Sequence, residues 1–140
     1  MPTTTQTAGK HLLVIDDDDL VRILLQETFW IYATEQYIIA NARSVREAES
    51  KIIEDGYPEV VFIGLALLTT RQDGSTTREV KPSLTFIHNL KDSHPQTKVI
   101  VYTKHNEETL KEQALASGAD AYLVKGECTP SELVDFIESL

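Results

Sequence analysis

Polar side chains that could hold a cation and a phosphoryl group follow three short apolar runs of the sequence. Asp16 to Asp19 come directly after LLVI, Thr103 and Lys104 come after VIVY, and Lys125 comes after AYLV. Carboxylate oxygens are the ligands that Mg²⁺ prefers, and hydroxyl and lysine groups suit contact with a phosphoryl group. If the fold brings these residues to one rim, their chemistry fits a divalent cation next to a phosphoryl group.

The elements that must position these residues can be read from the hydrophobic pattern. Five apolar runs, LLVI, YIIA, VVFI, VIVY and AYLV, alternate with longer amphipathic segments. This alternation predicts an α/β fold, in which five parallel strands are covered by five helices on both faces of one sheet. Ligands of such sheets bind beyond the carboxyl ends of the strands, which is where the polar residues stand.

Capping signals predict where several helices begin. Asp18 or Asp19 can cap the first helix, since both precede its apolar periodicity. SVRE at 44–47 and TPSE at 129–132 have the spacing of capping boxes, and the second predicts the last helix.

One segment does not fit the alternation. Residues 69–81, TTRQDGSTTREVK, are polar and rich in turn formers, and Pro82 then starts the third helix. The composition predicts a long, mobile loop there.

Composition excludes several classes of function. The chain has 140 residues and a formal charge of -9, so it fits one domain that repels nucleic acid and anionic membranes. Residues 1–10 lack the pattern of a signal peptide and predict a flexible tail, which leaves a single domain at 11–140. Cys128 is the only cysteine, which excludes an internal disulfide and favours a cytoplasmic protein.

Taken in order, these motifs resemble the receiver domain of bacterial two-component response regulators over nearly the whole chain. LLVIDDDD is similar to the family's first strand, PEVVFIGLALL to the third, KVIVYTK to the fourth and GADAYLVKG to the fifth. The resemblance implies that Asp16 and Asp17 help to hold Mg²⁺ and that Thr103 and Lys125 contact the phosphoryl group. Tyr122 takes the position of the aromatic that swings inward on activation. The implied fold is flavodoxin-like, with sheet order 2-1-3-4-5.

The sequence departs from the family at the residue that matters most. Gly64 stands where the family has the aspartate that accepts the phosphoryl group, and it offers neither a nucleophile nor a metal ligand. Lys104 replaces a residue that is usually small, while Leu68 and Gly126 replace two prolines. The sequence therefore resembles a degenerate receiver, or pseudo-receiver, which we expect not to be an enzyme.

The acidic pocket should then be neutralised from within the chain. We expect Lys125 to pair with Asp16 and Asp17, and Lys104 to act as a second cation in the space of metal and phosphate. No cofactor is expected, and Mg²⁺ binding at Asp16 and Asp17 should be weak or absent because one charged ligand is missing. Asp18 and Asp19 begin the first helix, where negative charge is favourable.

The expected function is a phosphorylation-independent protein–protein interaction in a signalling pathway, by a stand-alone domain without an output domain. The resemblance places the contact surface on the fourth helix, fifth strand and fifth helix, about 106–140. Two alternatives remain. The first is a Mg²⁺-dependent phosphorelay receiver with a non-standard acceptor, for which Asp73 is the candidate. The second is a sensor of a small ligand or redox cofactor.

Plainer interpretations of the same residues also remain. The aspartate run can be a solvated helix start, Lys125 a surface lysine, Thr103 a strand-end residue and Tyr122 an aromatic without a switching role.

Overall fold

The computed structural model describes residues 9–140 and has the predicted α/β architecture. The strands are β1 (Lys10–Ile15), β2 (Tyr37–Ala42), β3 (Val60–Ile63), β4 (Leu67–Thr70), β5 (Thr76–Glu79), β6 (Lys98–Thr103) and β7 (Ala121–Val124). The helices are α1 (Asp19–Tyr32), α2 (Val45–Asp55), α3 (Lys81–Ser93), α4 (Glu108–Ser117) and α5 (Pro130–Glu138).

Five of the strands form one parallel sheet in the order β2-β1-β3-β6-β7. This is the predicted order 2-1-3-4-5, because β4 and β5 lie outside the sheet. Most of the tail predicted at 1–10 falls outside the described residues, and β1 begins at Lys10, one residue before the predicted domain boundary. Among residues 9–140 no helix is both long enough and apolar enough to cross a membrane.

Two hydrophobic clusters cover the two faces of the sheet, because successive strand residues point to opposite sides. On β1, Leu13 and Ile15 pack into the cluster that receives α2, α3 and α4, whereas Leu12 and Val14 pack into the cluster that receives α1 and α5. The sheet is therefore buried on both faces. The edges of the sheet and the loops at its carboxyl end are open to ligands or partners.

The predicted caps of three helices are present. Asp18 caps α1, and its carboxylate accepts a hydrogen bond from the Leu20 N–H at 2.9 Å. Ser44 caps α2 by accepting from the Glu47 N–H. Thr129 and Glu132 form a complete capping box at the start of α5.

The segment predicted as a mobile loop at 69–81 instead contributes to a β-hairpin, so that prediction is wrong. Strands β4 and β5 pair antiparallel, with Leu67 opposite Glu79 and Thr70 opposite Thr76. Asp73 shapes the turn by accepting hydrogen bonds from the N–H and hydroxyl of Ser75. Threonines on both sides of an Asp-Gly turn favour extended strands, and this preference outweighs the polar composition of the segment.

Candidate functional site

The carboxyl ends of β1, β3, β6 and β7 surround a cavity of about 330 Å³. Parallel pairing places these ends side by side: Ile15 lies opposite Ile63, and the Gly64 N–H donates to the Ile15 carbonyl. The cavity is lined by most of the residues predicted from sequence, namely Asp16, Asp17, Gly64, Thr103, Lys104 and Lys125, and also by Arg78 of the hairpin.

Asp16 is buried and is bonded through both carboxylate oxygens. Its Oδ1 accepts from the Asp18 N–H at 2.9 Å, and its Oδ2 accepts from Lys125 Nζ at 3.0 Å. The Asp16 side chain is 6% exposed and that of Lys125 is 26% exposed, so the pair is partly removed from water. The expected ion pair between Lys125 and the acidic pocket is therefore present.

Asp17 is held by the hairpin rather than by the expected lysine. Its Oδ2 accepts from the Leu68 N–H at 2.8 Å and from Arg78 Nη1 at 3.0 Å, and Arg78 also donates to the Ala66 carbonyl. Lys104 lines the cavity but is exposed and forms no ion pair with a carboxylate in the described part of the chain, so its expected pairing with the acidic residues is not observed. No sequence signal pointed to Arg78, because its position depends on the hairpin.

The other two aspartates of the run have structural roles at the start of α1. Asp18 is the cap, and Asp19 pairs with Arg22 one turn later on the helix. Arg22 is 8% exposed and also donates to the backbone carbonyl of Asp16. Four consecutive carboxylates are thus tolerated because each one has its own donor.

Gly64 ends β3 at the tightest point of the pocket. A Cβ placed there would lie 3.1 Å from Asp16 Oδ2 and 3.2 Å from Leu67 Cδ2, which is closer than nearly all real Cβ contacts. The Gly64 carbonyl accepts from the hydroxyl of Ser83, a fully buried residue at the start of α3. Side chains of the chain itself therefore take up the space around this position.

Thr103 and Tyr122 converge on the backbone of His105, in the loop before α4. The Thr103 hydroxyl oxygen accepts from the His105 N–H at 3.3 Å, and the Tyr122 hydroxyl donates to the His105 carbonyl at 2.7 Å. Burial, with a smaller contribution from Glu107, raises the pKa of Tyr122 above its ordinary value, so the phenol stays protonated as a donor. These two bonds fix the path of the chain from β6 into α4.

Comparison with known proteins decides the family. A family model described as the response regulator receiver domain matches residues 12–138, which is most of the chain. The chain belongs to the response regulator receiver domain family. The resemblance seen in the sequence is confirmed at this level.

Individual relatives of this receiver domain agree with the match. The transcriptional regulatory protein SrrA of Staphylococcus aureus is 30% identical over 132 residues, which cover 94% of this chain and 48% of the relative. The chain thus spans about half the length of the curated relative.

Solved structures show the same fold. A CheY-like receiver domain protein from Methanospirillum hungatei has a TM-score of 0.73 at 20% identity, over 94% of this chain and 92% of its own. An orphan response regulator of H. pylori has a TM-score of 0.72 at 17% identity, over 94% of this chain and 96% of its own.

The donor set of this receiver domain does not fit the Mg²⁺ that the family implies. The described residues contain no group of three or more His, Cys, Asp or Glu side chains arranged to hold a metal ion. Asp16 and Asp17 already bond to Lys125 and Arg78, and Gly64 supplies no third carboxylate. A small ion that demands near-octahedral oxygen ligation would have to displace both cationic side chains with only two carboxylates.

Asp73 is poorly placed to replace the missing acceptor. It lies in the turn of the hairpin, beyond the Thr70–Thr76 pair, and that pair is itself three residue pairs from the Leu67–Glu79 end, which adjoins the pocket. At the rise of a β-strand this is about 10 Å of hairpin. The hydrogen bonds from Ser75 lower the pKa of Asp73, so its carboxylate is ionised and engaged in the turn.

Proposed function

We propose that this receiver domain transmits signals by contact with another protein and does not accept a phosphoryl group. The observation that carries the proposal is the residue at the end of β3. By the family resemblance Gly64 occupies the acceptor position there, and it has no side chain. A nucleophilic oxygen is needed to form the acyl phosphate, and the nearest carboxylate, that of Asp16, is bonded through both oxygens.

The electrostatics of the pocket support the same proposal. Lys125 and Arg78 provide two positive charges for the two pocket carboxylates, Asp16 and Asp17. A metal ion at Asp16 and Asp17 would compete with Lys125 and Arg78 for the same carboxylate oxygens. The negative charges of the pocket are therefore balanced by side chains of the same chain.

A fixed pocket implies a fixed α4 surface. Thr103 accepts from the N–H of His105 and Tyr122 donates to its carbonyl, so the loop before α4 is set by contacts within the chain. On this proposal Tyr122 acts as a permanent tether rather than as a switch, and the domain presents one surface to its partner.

The surface we propose for that partner is formed by α4, β7 and α5. Only Ala114 of α4 is fully buried, so most of this helix faces outward. Its exposed residues include Lys111, Glu112 and Leu115, the last with 44% exposure. Charged side chains around one apolar residue suit a polar and reversible contact.

Phosphorylation can be tested directly with acetyl phosphate and Mg²⁺, followed by intact-mass measurement. A receiver domain that carries the acceptor aspartate serves as the positive control. We expect no mass increment, and no amide shift at Thr103 or Tyr122 when Mg²⁺ and beryllofluoride are added. A saturable shift of both residues, or a phosphoryl adduct mapped to any carboxylate, would refute the proposal.

The contact surface can be tested by site-specific photocrosslinking in cells that express the protein. A photoreactive residue at Glu112 on α4 is compared with one at Glu49 on α2, since both positions are exposed. We expect one protein to be captured at Glu112 and not at Glu49. Capture of the same protein at Glu49 alone would place the contact on another face.

A further inference from the structure

The β2 edge of the sheet has a row of unpaired backbone groups. Within residues 9–140, β2 pairs with β1 alone. The carbonyls of Gln36 and Ala42 accept hydrogen bonds from the β1 side, so by strand periodicity the N–H and C=O groups of Tyr37, Ile39 and Asn41 point outward. The strand sequence, YIIANA, contains none of the charges or prolines that commonly protect an edge.

A groove between this edge and α1 adds an apolar surface. Two cavities of about 380 and 400 Å³ lie along it and share Gln26. Trp30 and Ile23 border them and are 85% and 56% exposed. Helix α1 thus carries apolar residues on its outer side as well as toward the core, and exposed apolar patches of this kind often mark contact surfaces.

Asn41 provides a second, independent sign of a missing neighbour. Its Oδ1 is buried and has no hydrogen-bond partner within the described residues. It belongs to the lining of the groove, next to the outward backbone groups of β2. Buried polar atoms in native proteins nearly always have partners, so this atom points to a donor from another molecule.

We propose that a second copy of this chain covers the edge, with β2 pairing antiparallel to β2 of the partner subunit about a twofold axis at Ile39. This register opposes Tyr37 to Asn41 of the partner subunit, and it is the one that uses all three outward residues of both strands. The axis is perpendicular to the sheet, so the two α1 helices lie on the same face with their Ile23 and Trp30 sides toward each other.

Charge complementarity favours a second copy over an unrelated extended peptide. Arg43 and Glu35 lie just beyond opposite ends of β2, and Glu35 also forms an exposed ion pair with Lys10 of its own chain at 3.3 Å. The twofold axis brings Arg43 of one copy toward Glu35 of the partner subunit at both ends of the paired edge. Both side chains are exposed, at 72% and 42%. Within the chain, Arg43 is 4.0 Å from Asp19, so its guanidinium is available for a closer partner. The β2 edge of one copy is thus complementary in charge to the same edge of a second copy.

This inference does not rest on the proposed function, because the edge lies away from the acceptor position. Sedimentation velocity over a range of protein concentrations tests it. We expect a concentration-dependent dimer, and Arg43→Glu or Glu35→Arg should raise its dissociation constant about tenfold. The double variant should restore most of the affinity. Lys111→Glu on α4 makes the same charge change as Arg43→Glu and should have no effect.

Ile39→Pro provides a second test, since it removes an outward N–H that β1 does not use. We expect this variant to be monomeric with an unchanged circular dichroism spectrum. A wild-type protein that stays monomeric throughout would overturn the proposal, as would a dimer weakened by Lys111→Glu and not by Arg43→Glu. A dimer that forms only after deletion of residues 1–8 would also overturn it, because the chain's own N-terminus would then be the occupant.

Discussion

Replacement of Lys125 by methionine gives the most direct measure of how the pocket is held together. The change keeps an unbranched side chain of similar size but leaves Asp16, with its 6% exposed side chain, without its cation. Breaking a fully buried pair costs about 3–5 kcal/mol and an exposed pair about 0–1 kcal/mol. Because Lys125 is 26% exposed, we expect the free energy of unfolding to fall by an intermediate amount, about 2 kcal/mol.

Urea denaturation of a double-mutant cycle measures this coupling. Asp16→Asn removes the charge but keeps the shape of the side chain. The double variant should therefore lose less free energy of unfolding than the two single variants lose together. We expect a coupling energy of about 1–2 kcal/mol at pH 7. Additive losses, or a loss below about 0.5 kcal/mol for Lys125→Met, would show that the pair does not stabilise the pocket. In that case the argument that the chain neutralises its own acidic site fails.

Three further predictions concern single contacts. Tyr122→Phe removes the hydrogen bond to the His105 carbonyl; we expect a loss of about 1 kcal/mol in urea denaturation and a shift of the His105 amide signal. Thr129→Ala removes the cap of α5 and should lower stability by about 1 kcal/mol, whereas Thr129→Ser should not. Burial, with Glu138 and Glu35 nearby, raises the pKa of Tyr37 from 10.0 to about 12, so the folded state holds this proton more tightly than the unfolded state. Stability from this group should be intact below pH 10 and decline as the pH rises toward 12, and Tyr37→Phe should reduce that decline in pH-dependent denaturation.

The parts of the fold that depend on local patterns were predictable from the sequence. The parallel sheet with helices on both faces followed from the alternation of apolar runs and amphipathic segments, and its strand order was implied by the family resemblance. Caps such as Ser44 and Thr129 were identified because the required side chains stand at fixed offsets from the residues that they bond. The convergence of Asp16 and Lys125 also followed, because both residues stand at carboxyl ends of strands in one parallel sheet.

The parts that depend on long-range geometry were not predictable. Arg78 reaches Asp17 because an irregular segment folds into a hairpin and turns back over the pocket, and its contact spans 61 residues of sequence. Lys104 stands next to Thr103 at the end of the strand and lines the cavity, but it is exposed and forms no ion pair with a carboxylate among the described residues. The bond from Tyr122 to the His105 carbonyl is of the same kind, since it joins a loop to a strand 17 residues away.

If the pocket binds no metal ion, as proposed, charge balance explains how Asp16 and Asp17 can lie side by side there. By the family resemblance, a complete site combines three carboxylates with a divalent metal ion and a lysine, so its charges cancel. Loss of the carboxylate at Gly64 and of the metal leaves two carboxylates and Lys125, one positive charge short. Arg78 supplies that charge through the hairpin. On this proposal the pocket is independent of Mg²⁺ and of phosphoryl donors, and regulation reaches the domain through the abundance or the conformation of its protein partner.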